Sequence, residues 1–118
     1  MVRSTWEELT APLSAPDLEL IGAYRAFCLS LPDTEERVHK TEVQFAVERV
    51  YTSGFIKSHH LELAIDLLRE IGGEHLRAAF HTTNAVITHR FTIDSLEEFE
   101  TVKDAIREAH EMVGPGLR

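Results

Sequence analysis

A chain of 118 residues has room for a single domain, and this length buries enough surface for a core without disulfide or metal staples. Hydrophobic residues make up 43% and charged residues 27%, a globular composition that excludes disordered, collagenous and coiled-coil classes. The 12 Lys and Arg stand against 20 Asp and Glu, a formal net charge of −8 with no basic cluster, so neither nucleic acid nor an anionic membrane surface is an expected partner.

No apolar run approaches the ~20 residues that a membrane helix needs. Met1 leads through Arg3 to Trp6 with no apolar stretch, so no signal peptide is expected. Cys28 is the single cysteine and cannot form an intramolecular disulfide, which fits a reducing, cytoplasmic setting. It reads as a small hydrophobe on the core face of a helix.

Ser4-Thr5-Trp6-Glu7 has the spacing of a capping box and predicts a short helical turn near Trp6, stopped by Thr10-Ala11-Pro12. Residues 1–15 are therefore expected as an N-terminal extension of the single domain. Ser14, Pro16 and Asp17 supply a hydroxyl cap, a first-turn proline and an early acid. Behind them Leu18, Ile21, Tyr24 or Arg25, and Cys28 recur at helical spacing, widened by Phe27 and Leu31, and predict a helix over residues 16–29 that Pro32-Asp33 ends.

From Thr41 the period changes to two. Val43, Phe45 and Val47 alternate with Glu42, Gln44, Ala46 and Glu48, a half-buried strand. A second strand is expected over residues 53–57. A third covers 60–68, with Leu61, Leu63, Ile65 and Leu67 on one face and Glu62, Ala64 and Asp66 on the other. Glu70-Ile71-Gly72-Gly73-Glu74 is a turn-rich connector.

Residues 76–93 read as a hairpin turning at Asn84-Ala85. That register sets Leu76 opposite Ile93, Ala78 opposite Phe91, Phe80 opposite His89 and Thr82 opposite Ile87 on one apolar face. The other face receives Arg77 with Thr92, Ala79 with Arg90 and His81 with Thr88. Asp94 then stands as N-cap with Glu97 at N3, opening a helix whose stripe is Leu96, Phe99, Val102, Ile106, Ala109 and Val113. Gly114-Pro115-Gly116 ends it. The sum is an α+β two-layer sandwich: an antiparallel sheet of about five strands, with the N-terminal and C-terminal helices packed on one face.

Seven histidines invite a metal reading, but the expected register puts His81 and His89 on opposite faces, and His59-His60 point apart in a turn. No H-x-x-x-H on a helix, C-x-x-C or H-E-x-x-H occurs, so neither a metal nor a cofactor is expected. Gly-rich phosphate loops, G-x-S-x-G and D-x-D are missing too, and no catalytic residue is assigned.

His89 falls in the apolar row of Ile87, Phe91 and Ile93. It is either a core histidine with internal hydrogen bonds or a ligand contact in a pocket between helix and sheet. In the second case Lys40 and Lys57 are the candidate companions. Arg77, Arg90 and His81 are expected on the open sheet face among Glu42, Glu48, Glu62 and Asp66, smoothed by Ala46, Ala64 and Ala79. Such a face is either a field of solvated ion pairs or a surface for a partner.

His39-Lys40-Thr41-Glu42-Val43-Gln44-Phe45, the later Lys57, and Thr88-His89-Arg90-Phe91 followed by Asp94-Ser95-Leu96-Glu97-Glu98 resemble the bacterial domain-of-unknown-function family 5655. In that family a Lys-Thr precedes an apolar strand and a His-Arg recurs in the last strand. The similarity spans residues 18–113 and departs from the pattern at Phe55-Ile56, where a more basic strand with a proline is expected. The resemblance implies a small α+β domain in a bacterial cytoplasm and implies no activity. Two functional expectations follow from the residues. The first is a non-catalytic binding or interaction module, a homodimer through an edge strand or the open sheet face being one form of it. The alternative is a small-molecule-binding protein or enzyme with its pocket at His89 and Lys40.

Overall fold

The computed structural model describes residues 4–116, so Met1 and Arg3, read above for a leader segment, lie outside the described residues. The elements in chain order are α1 (Trp6–Thr10), α2 (Ala15–Leu29), β1 (Glu35–Val38), β2 (Val43–Ala46), β3 (Val50–Lys57), β4 (His60–Leu67), β5 (Leu76–His81), β6 (Ile87–Ile93), α3 (Leu96–Glu100) and α4 (Lys103–Met112). The strands form one antiparallel sheet in the order β1-β2-β3-β4-β6-β5. The α+β class holds, with six strands rather than about five.

The added strand is β1. Its sequence, Glu-Glu-Arg-Val, has no apolar alternation, and tertiary partners impose its shape. Val38 faces Val43 across the ladder, and Glu36 takes a two-pronged ion pair from Arg25 of α2 at 2.5 and 3.0 Å. The N–H of Ser4 donates to the Val38 carbonyl at 3.1 Å on the outer edge.

Three expected boundaries move by one residue. The first capping box belongs to Thr5 and Glu8: the Thr5 hydroxyl accepts the Glu8 N–H at 3.1 Å, and the Glu8 carboxylate accepts the Thr5 N–H at 2.9 Å. The N-cap before α3 is Ser95, accepting from the Glu98 N–H at 3.1 Å, while Glu98 reaches back to the Asp94 N–H at 2.9 Å. The C-terminal helix is also broken in two. The Thr101 hydroxyl donates to the Glu98 carbonyl at 2.6 Å, and the Thr101 and Val102 N–H groups bond three residues back. A hydroxyl competing for a helical carbonyl weakens and bends the helix at that point. Phe99, Val102, Ile106, Ala109 and Val113 are buried as the stripe predicted, but Leu96 is 42% exposed.

The third shift changes a face. In the last hairpin Ala79 pairs with His89, Phe80 with Thr88 and His81 with Ile87, one residue out of the expected register. The cause is the loop. Thr82 N–H donates to the Val86 carbonyl at 2.9 Å, and the Thr83 hydroxyl accepts from the N–H groups of Ala85 and Val86. Three residues separate the paired ends where two were expected, and a threonine side chain fixes that count. A bulge between Leu76 and Ala78 then brings Leu76 opposite Phe91. Phe80 therefore stands on the open face, 43% exposed, and His81 shares the face of His89.

The helices cover the face made by Leu61, Leu63, Ile65 and Leu67 of β4, all buried. Over β6 the same face is covered by the connector after β4, whose Ile71 packs against the core. Cys28 is buried in this core, as expected, and burial pushes its thiol well above the ordinary range. Between β3 and β4 a two-residue turn holds Ser58 and His59 at φ 51° and 67°. This left-handed pair matches the strand twist, at a conformational cost that non-glycine residues bear. Among the described residues no helix is long and apolar enough to cross a membrane.

Candidate functional site

His89 is wholly enclosed. Its Nε2 accepts the Ile71 N–H at 3.0 Å, which leaves the ring proton on Nδ1, and Nδ1–H donates to the Ile87 carbonyl at 3.1 Å. Both nitrogens are spent on backbone groups, so the ring ties the β4–β5 connector to β6 rather than facing a ligand.

Lys40 and Lys57 do come together. Lys40 sits at the tip of the β1–β2 turn, which the His39 N–H closes onto the Glu42 carbonyl at 2.8 Å. Lys57 ends β3, paired with His60. They line one groove of about 300 Å³, with Leu9, Leu13, Ile21 and Ile56 among its walls. His89 is not part of it. The expected trio thus separates into a structural histidine and a lysine pair.

A larger cleft, about 750 Å³, opens between the starts of α2 and α3. His59 of the β3–β4 turn lines it, beside Asp17 and Asp94. His59 Nδ1–H donates to Asp17 Oδ2 at 2.7 Å, and His60 pairs with Asp94. The hydrogen bond from His59 holds the Asp17 carboxyl below the usual carboxylate range. Beyond the Nδ1 bond to Asp17, the His59 ring is exposed. Reasoning from the sequence missed this pairing. Ser58-His59 is an unusual left-handed turn without glycine, and His-His beside it was the only available signal.

Arg90 lies on the open face with its guanidinium 5.7 Å from the Phe80 ring centroid. Arg77 sits in the bulge and is exposed, and His81 is on the opposite face, its ring bonded to the Thr83 carbonyl at 3.2 Å. The three residues expected on one interaction face are therefore divided, because the register shift turns His81 over. Ala79, also expected on the open face, goes with it.

Along the same open face, the Thr82 hydroxyl bonds Thr88, whose hydroxyl donates to Asp66 at 2.7 Å. Burial lifts the Asp66 carboxyl above its ordinary value, against the Thr88 hydrogen bond and the charge of Arg49. A raised folded-state value means that Asp66 favours the fold below the unfolded pKa of about 3.9 and loses that contribution as pH rises through the folded value. Asp66→Asn keeps the acceptor oxygen for Thr88 without the charge. Thermal melts should show the variant several degrees more stable than wild type at neutral pH, with the gap closing in acid. A constant gap across pH would show that burial of the charge is not the cause.

Among the described residues no group of His, Cys, Asp and Glu has a geometry able to hold a metal ion. Compared with known proteins, the chain matches no family model, no curated protein and no solved structure. The fold and its sites define a class, a small α+β domain with one bare sheet face and an apolar groove flanked by two lysines.

Proposed function

We propose that the chain is a non-catalytic interaction module that pairs with a second copy of itself along the outer edge of β5. The observation that carries this reading is the state of that strand. It is the terminal strand of the sheet, and Arg77, Ala78, Phe80 and His81 are all exposed. A terminal strand offers a row of unpaired N–H and C=O groups, which proteins usually blunt with charges, proline or a covering segment. At the opposite edge the Ser4 N–H takes the Val38 carbonyl, and three of the four residues of β1 are charged. The six residues Leu-Arg-Ala-Ala-Phe-His carry one formal charge and no proline.

Antiparallel pairing of two such edges is closed and two-fold symmetric, so it stops at a dimer. It would add main-chain hydrogen bonds and cover Phe80. The resemblance to domain-of-unknown-function family 5655 and the single, buried Cys28 support a cytoplasmic setting for the module.

Sedimentation equilibrium over a concentration series tests the reading. Wild type should show a monomer–dimer equilibrium. Phe80→Lys removes the ring and places like charges near each other across the pairing, which should weaken association by about tenfold or more, equivalent to about 1.4 kcal/mol. Its melting temperature should stay close to wild type, because Phe80 is outside the core. A wild type that remains monomeric at the highest concentration, or a variant that dimerises equally well, would falsify the proposal.

A further inference from the structure

We propose that the groove between Lys40 and Lys57 binds a small amphiphile, an anionic carboxylate or phosphate head carried on a short apolar body. The walls argue for the body. Leu9 and Leu13 from the segment around α1, Ile21 from α2 and Ile56 from β3 line the groove, and its volume of about 300 Å³ lies at the small end of ligand pockets. The rim argues for the head. Two ammonium groups and Thr41 are placed there, and none of the lining residues is acidic.

The lysines are also uncommitted. In a chain with 20 acids against 12 bases, Arg25, Arg69, Lys103 and Arg107 each hold a carboxylate. Among the described residues neither Lys40 nor Lys57 has one. Two unpaired cations at an apolar groove of an acidic protein form a local site for an anion, strengthened by the low polarity of the walls. Their bases are held by the frame. Lys57 is fixed by its ladder with β4, and Lys40 by the closed β1–β2 turn. The same head chemistry occurs on soluble acyl acids and on membrane lipids, and the test distinguishes the two sources.

Isothermal titration with octyl phosphate, below its micelle concentration, is the direct measurement, with octanol and inorganic phosphate as half-ligands. Octyl phosphate should bind with one-to-one saturation and about tenfold more tightly than either half-ligand. Lys40→Glu and Lys57→Glu should each weaken it about tenfold, and the double variant should abolish it. Both lysines are exposed, so circular dichroism should show the folds unchanged. In parallel, vesicles of phosphatidylcholine doped with phosphatidylglycerol are sedimented with the protein. Capture that the double variant loses supports the site and assigns a lipid source; octyl phosphate binding without capture supports it and assigns a soluble one. Binding that the double variant retains, or no saturable binding to either probe, overturns the proposal. The β5 dimer is independent of this result, since Phe80→Lys leaves the groove intact.

Discussion

Tyr24→Ala should remove a large share of the stability of the fold. The ring is completely buried and stands edge-on to Phe45 at 5.3 Å and to Phe99 at 6.1 Å, so it joins α2, β2 and α3. Its hydroxyl lies 3.0 Å from the Thr52 hydroxyl, which itself donates to the Ala64 carbonyl at 2.8 Å; Tyr24 is therefore the donor in the first bond. Removing such a ring costs about 3–5 kcal/mol, a large share of the 5–15 kcal/mol that holds a typical domain. Tyr24→Phe keeps the ring and should cost about 1 kcal/mol, one hydrogen bond. Urea titration of the two variants checks the difference through their midpoints at constant slope.

Gly54 carries the same argument from the other side. A Cβ there would lie 2.8 Å from both the Tyr24 ring and Leu63, so Gly54→Ala should also lower the midpoint. If Tyr24→Ala unfolded no more easily than Tyr24→Phe, the ring would not be the element that locks helices to sheet.

The features read correctly from the sequence are those whose cause is local. The start of α2 follows from Ser14 and Pro16, and the alternation of β4 follows from a face buried along its whole length. Misreadings arise where a single hydroxyl arbitrates. Thr83 sets the loop that shifts the last hairpin, and the final helix breaks at Thr101. Both positions also fit the expected pattern, because a threonine at a turn or on a polar helix face does not announce which carbonyl or N–H it will take.

β1 was invisible for a different reason. Three of its four residues are charged, and what makes them a strand is the ladder with β2 across the turn at residues 39–42 and the ion pair of Glu36 with Arg25. The candidate sites follow the same division. Lys40 and Lys57 could be singled out one at a time, but their meeting depends on two turns arriving at the same end of the sheet. The His59–Asp17 pair depends on how the β3–β4 turn docks against α2, and no periodicity encodes that.

His89→Ala should destabilise the fold by about 2–4 kcal/mol, for two separable reasons. It empties the volume of a wholly enclosed ring, and it strips the acceptor from the Ile71 N–H and the donor from the Ile87 carbonyl. His89→Leu restores most of the volume but neither bond, so its smaller loss measures the polar part. In both variants the Ile71 amide should exchange with solvent much faster than in wild type, because the connector over β6 has lost the bond that fastens it. Binding of octyl phosphate to His89→Leu should be unchanged, since the groove at Lys40 and Lys57 contains no part of this ring. Unaltered Ile71 exchange in His89→Leu would mean that packing alone holds the connector, whereas lost binding would couple His89 to the groove and return it to the ligand-contacting role that its buried geometry argues against.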